Sequence, residues 1–165
     1  MRTLLVMRHA KSDWGAAYDS DHERPLAGRG VKAARRMGRF VTDAGIVPSL
    51  VLSSTAVRAL TTAELAAEAG EWDCEIVTNR DLYASDPERV LEVIREIDNG
   101  VEHLMIAGHE PTWSTLVTWL TGGEGVGMPT AAVACLDIPH GDWFDLGPSV
   151  CDLRWLMTPK MLKGK

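Results

Sequence analysis

Met1-Arg2-Thr3-Leu4-Leu5-Val6-Met7-Arg8-His9-Ala10-Lys11-Ser12-Asp13-Trp14 is the stretch on which the reading of the fold turns. Leu4 to Met7 form an apolar run of strand length and strand composition, and the run stops at an adjacent cation and imidazole, Arg8 and His9. In open α/β sheets, ligands bind in the crevice beyond the carboxyl ends of the strands. An ordinary strand-to-loop transition with two surface polar residues would look the same by itself. The decision therefore rests on whether other residues converge on this corner.

Further along the chain the same design recurs. Ser49 to Ser53 reads as a second strand, with Ser53-Ser54-Thr55 expected to cap the following helix and to place Arg58 near its amino end. A cation there opposes the helix dipole, so an anion should want it. Glu75 to Val77 is a third strand, and Asp86-Pro87 opens a helix marked by Val90, Ile94 and Ile97, with Asp86 as cap and Pro87 at the first position. His103 to Ala107 is a fourth strand, running into Gly108-His109-Glu110-Pro111. Here the glycine is expected to turn the backbone sharply before a helix bearing Trp113, Leu116, Val117 and Leu120. Thr130 to Ile138 and Leu153 to Met157 read as neighbouring strands, and the basic residues 160–165 as a frayed tail.

Two connecting segments complete the picture. Lys11 to Gly30 is too polar for core, and Pro25 stiffens the backbone beside Arg24, so this loop is placed to roof the corner. Val31, Ala34, Met37, Val41 and Ala44 recur at helical spacing up to a Gly45 stop, while Lys32, Arg35, Arg36 and Arg39 make a solvated face. Strands alternating with helices imply an α/β three-layer sandwich: a mainly parallel sheet with helices on both faces, in a single domain over residues 1–165.

Composition bounds the function. A net charge of −6 and a pI near 5.3 argue against covering nucleic-acid phosphates. No apolar run approaches the roughly 20 residues of a membrane span, and no signal-peptide core precedes Arg8. Cys74, Cys135 and Cys151 lack metal-site or disulfide spacing and read as reduced thiols. A cytoplasmic protein without metal, cofactor, nucleic-acid partner or membrane is the expectation.

Arg8, His9, Arg58 and His109 then fall just beyond three strands on one sheet edge. Two guanidiniums and two imidazoles need a neutralising anion, and a phosphoryl group meets that need. A histidine with one neutral ring nitrogen attacks phosphorus, and the cations stabilise charge on the transferring group without a metal. A metallohydrolase built on His9, His22 and His109 is disfavoured, because Arg8 and Arg58 would repel a divalent cation. A phosphate-binding module without turnover remains an alternative. His22, His103 and His140 read as surface or structural.

Arg8-His9-Ala10, Ser53-Ser54-x-x-x-Arg58-x-x-x-Thr62 and Gly108-His109, in that order, resemble the motifs of the histidine phosphatase, or phosphoglycerate mutase-like, superfamily. Arg8 to Trp14 with Glu23-Arg24-Pro25-Leu26 resembles its small bacterial phosphohistidine phosphatase branch. The resemblance implies a phosphoglycerate mutase-like fold, with His9 as nucleophile and Arg8, Arg58 and His109 around the phosphate. It further implies Arg24, with Ser12, on the substrate side. The family's usual Arg-His-Gly is Arg-His-Ala here. A general acid has three candidates, Asp86, Asp81 and Glu23. A phosphohistidine substrate needs a strong acid least, so a phosphorylated protein is the preferred substrate, with a small phosphate ester or nucleotide as the alternative.

Overall fold

Leu4, Leu5, Val6 and Met7 are fully buried, because β1 (Arg2–Arg8) lies inside a six-stranded sheet. The computed structural model describes residues 1–163. The other strands are β2 (Leu50–Ser53), β3 (Glu75–Thr78), β4 (His103–Gly108), β5 (Val133–Ile138) and β6 (Asp152–Met157), and they lie in the order β3-β2-β4-β1-β5-β6. The first four in that order are parallel; β5 runs antiparallel to β1, and β6 to β5. The expected mainly parallel sheet is thus present, with the last two strands as its antiparallel edge.

Alternation along β1 sorts the core into two layers. Leu4 and Val6 join Leu104 and Ile106 of β4 under α3 (Pro87–Arg95) and α4 (Thr112–Thr121). Leu5 and Met7 join Val51 and Met105 under α1 (Gly28–Asp43) and α2 (Val57–Gly70). The central strands β1, β2, β4 and β5, buried on both faces, require the near-continuous apolar runs that the sequence displays there. The cations of α1 remain outside this packing, and Arg35 bonds Glu68 at 2.8 Å on the surface.

Helices α1 and α2 approach so closely at Gly38 that a Cβ there would sit 2.1 Å from the Ala66 carbonyl oxygen. Backbone cannot yield as a flexible side-chain tip can. Gly38→Ala is therefore expected to destabilise the fold by about 3 kcal/mol, read as a lower urea midpoint at an unchanged slope. An unchanged midpoint would mean that the two helices part without cost.

The structure corrects four local expectations. Residue 56, an alanine, stands at the N-cap of α2 without a side-chain bond, so Ser53 to Thr55 do not cap that helix in the expected way. Gly108 does not turn the chain: it is the last residue of β4, and its missing Cβ makes room for Trp113, whose Cζ2 would lie 2.4 Å away. Strand β5 starts at Val133 rather than Thr130, after Ala131 adopts a φ of 63°. Lys160 to Leu162 belong to a helical turn, α5 (Pro159–Leu162), capped by Thr158 through Met161 N–H, so fraying does not begin at Lys160. Residues 164–165 of that expected tail lie outside the described residues.

Candidate active site

Sheet register brings the site together. Arg8 pairs with Gly108 and Ser53 with Ala107, so β1, β2 and β4 end level and His9, Ser54 and His109 leave the sheet along one edge. The His9 and His109 ring centroids are 5.4 Å apart. Arg8, His9, Arg24, Arg58 and His109 line one basin of about 230 Å³, together with Lys11, Ser12, Trp14, Glu110 and Thr130. His9, Arg24, Arg58 and His109 are buried.

Each group is held by its own backbone or a neighbour. The Nδ1 of His9 lies 2.7 Å from the Ala10 carbonyl oxygen. A carbonyl only accepts, so Nδ1 carries the proton, and in the neutral ring Nε2 keeps its lone pair. Burial lowers the His9 pKa to about 4; the Ala10 bond opposes this, while Arg58, Arg8 and Arg24 add to it. Thr62 fixes the turn beneath: its hydroxyl accepts from Ala10 N–H at 3.0 Å and donates to the Arg58 carbonyl at 2.6 Å.

Ser54, freed from capping, lies with its Oγ 2.8 Å from His109 Nε2. It also accepts from Ala56 N–H at 3.2 Å. Burial, then Arg58 and His9, push the His109 pKa down to about 3. A serine hydroxyl donates as well as accepts, and in the tautomer in which it donates to Nε2 the neutral His109 carries its proton on Nδ1. Among the described residues four buried side-chain nitrogens lack a partner, and three belong here: Arg8 Nε, Arg58 Nε and His109 Nδ1. Buried donors without acceptors are costly.

The polar loop does roof the corner, through a residue the motifs did not single out. Asp21 accepts from Arg24 at 2.5 Å and from Arg58 at 2.9 Å, and its backbone carbonyl accepts from Arg58 at 2.7 Å. Tyr83 donates its hydroxyl to the same carboxylate at 2.8 Å. Burial would push the Asp21 carboxyl up, but bonds from Tyr83, Arg58 and Arg24 outweigh it and hold the group well below the usual carboxylate range. Asp21 is therefore a permanent acceptor that aims two guanidiniums. His22, read as surface or structural, ties the loop down: its Nε2 lies 2.7 Å from Thr55 Oγ1, and its ring packs edge-on against Tyr83. Ser12 accepts from Arg24 Nε at 3.0 Å, and the Trp14 ring stacks 3.6 Å from the Arg24 guanidinium carbon.

The three acids named as possible proton donors do not line this basin. Asp81 bonds Arg89 at 2.6 Å, and Asp86 caps α3 by accepting from Arg89 N–H at 2.8 Å. Glu23 is exposed beside Ala16 to Asp19. The carboxylate that does line it is Glu110, whose Oε1 accepts from Ser114 N–H at 2.7 Å. Asp21 and Glu110 escaped sequence reading because nothing in their local pattern separates them from the chain's other acids. Among the described residues no cluster of three His, Cys, Asp or Glu side chains is arranged to hold a metal ion.

Comparison with known proteins agrees with this geometry. Residues 4–86 match the family model of the histidine phosphatase superfamily, branch 1. An uncharacterized protein of Mycobacterium tuberculosis strain H37Rv is 33% identical over 164 residues, covering 93% of this chain and 100% of that one. The 2,3-bisphosphoglycerate-dependent phosphoglycerate mutase of Thermobifida fusca is 39% identical over 70 residues, but this covers only 41% of this chain and 28% of the mutase. The protein histidine phosphatase SixA complexed with tungstate superposes with a TM-score of 0.84 at 26% identity, over 98% of this chain and 99% of that one. SixA from Agrobacterium tumefaciens gives 0.81 at 27% identity, over 96% and 98%. With its motifs converging on one basin, residues 4–86 matched by the family model and its length covered by the mycobacterial and SixA relatives, the chain belongs to the histidine phosphatase superfamily.

Proposed function

We propose that the protein is a metal-independent phosphatase that works through a phosphohistidine on His9 and removes phosphoryl groups from phosphohistidine in proteins. The observation that carries this reading is the pair of imidazoles, 5.4 Å apart, lining one basin with three guanidiniums, with His9 Nε2 left free by the bond of its Nδ1 to the Ala10 carbonyl. His9 Nε2 forms a bond to phosphorus as the substrate's N–P bond breaks, and the leaving imidazole nitrogen takes a proton from solvent, which the water that attacks in the second step returns. Water then attacks the phosphoenzyme, releasing inorganic phosphate and restoring His9. Arg8, Arg24 and Arg58, with the Nδ1–H of His109, stabilise the charge on the transferring oxygens.

Binding of tungstate by the SixA relative fits a basin built for a tetrahedral oxyanion. Turnover of a phosphohistidine protein compared with sugar phosphates and nucleotides tests the reading: the former should be preferred in kcat/KM. Faster turnover of the small esters would favour a metabolite phosphatase. Binding of phosphate or vanadate with no turnover would favour a binding module.

The lowered pKa values set the pH response. Both rings stay neutral well below 6.5, so His9 should remain nucleophilic at pH 5 and become protonated only near pH 4, as read from its ring-proton NMR shifts. An unfolded chain takes up these protons near pH 6.5. It therefore binds more protons than the native state between that value and about 4, and stability should fall as pH drops through this window. A His9 midpoint at 6.5 would show a solvated ring and contradict the buried geometry.

A further inference from the structure

Two hollows continue the anion basin across the surface. A groove of about 390 Å³, between Leu82–Pro87 and the start of α4, shares His109 and Glu110 with the basin. Through Thr115 it adjoins a broader depression of about 580 Å³, lined by Thr118, Trp119 and the glycines that follow α4. The three hollows follow one another through shared wall residues, His109 and Glu110 between basin and groove and Thr115 between groove and depression.

Charge changes sharply along them. Arg8, Lys11, Arg24 and Arg58 line the basin, whereas no lysine or arginine is among the residues described as lining the two hollows. The groove instead carries the carboxylates of Asp86 and Glu110, and its His109 is neutral. Arg89, at the start of α3, has its guanidinium bonded to Asp81 and Glu92. A second phosphate on a small metabolite would find no lysine or arginine among the described residues lining the two hollows and would meet two carboxylates. An extended polypeptide, rising about 3.3 Å per residue, suits a long shallow path with apolar walls at Leu82, Pro87 and Trp119 and hydroxyls between them.

We infer that this path holds the polypeptide flanking the phosphorylated side chain, and that Asp86 and Glu110 select a lysine or arginine in that flank. The inference rests on the phosphoprotein reading above and adds the part of the surface that recognises the protein substrate. Thr115 is exposed on α4 where the two hollows meet, so its enlargement blocks the path without touching the basin.

The test compares phosphoramidate, which fills only the basin, with two phosphohistidine peptides differing by lysine or glutamate beside the phosphohistidine. Wild-type protein should prefer the lysine peptide by about fivefold in kcat/KM, the scale of exposed charge pairs. Thr115→Trp should lower kcat/KM for both peptides about tenfold while phosphoramidate turnover stays unchanged, which also shows that the variant is folded. Thr115→Lys should reverse the preference between the peptides. Equal loss on phosphoramidate and peptides, no loss on either, or indifference to the flanking charge would overturn the inference. Turnover of phosphoramidate without turnover of either wild-type peptide would instead overturn the phosphoprotein reading, and this inference with it.

Discussion

His9→Ala is expected to abolish phosphoenzyme formation and to lower turnover by roughly four orders of magnitude or more, because it removes the group proposed to accept the phosphoryl moiety. The check is a pulse of labelled phosphoramidate followed by alkaline quench: wild type should retain an acid-labile, alkali-stable label, and the variant none. His9 earns this weight from geometry. It is buried, its ring faces that of His109 at 5.4 Å, and its Nδ1 is held at the Ala10 carbonyl, leaving Nε2 to the basin. Loss of the label alone could follow from a collapsed site, so the same variant should still bind vanadate through Arg8, Arg24 and Arg58. Full turnover in His9→Ala would show that water attacks the substrate directly.

Arg58→Ala should slow phosphoryl transfer by about 10² to 10³, the usual cost of removing one preorganised charge from a transition state. Two effects combine in this case. The variant loses a cation beside the transferring oxygens, and it also loses the partner that bonds both the backbone carbonyl and the carboxylate of Asp21. Arg24 shares that carboxylate, so its orientation should loosen as well. Arg58→Lys keeps the charge without the planar fork, and should recover only part of the rate. A full recovery would mean that charge alone matters and that the Asp21 clamp does not contribute. The readout is single-turnover kinetics, which separates formation of the phosphoenzyme from its hydrolysis.

Much of this site could be read from the chain because its members sit at strand ends. Leu4 to Met7 announces a buried strand by composition, and Arg8 and His9 follow it directly; the same holds for His109 after His103 to Ala107. Arg58 was legible through its awkward place near a helix amino end. Asp21 and Tyr83 were not, since they meet across 62 residues and neither stands in a distinctive pattern. Ser54 was legible as a polar residue before a helix, but its local role misled: its hydroxyl serves His109, 55 residues away, as well as Ala56 N–H. Gly108 shows the same limit, for its small size answers to Trp113 rather than to a turn.

Local order along the polypeptide was enough to establish an alternating α/β layout, a shared edge for two histidines and two arginines, and the need for an anion among them. Those features follow from periodicity and from charge, which are properties of neighbours in the chain. The tertiary structure alone decided which acid aims the arginines, which nitrogen of His109 meets Ser54, and where a substrate's remaining atoms can lie. Such matters depend on contacts between distant segments, whose distances no local pattern encodes.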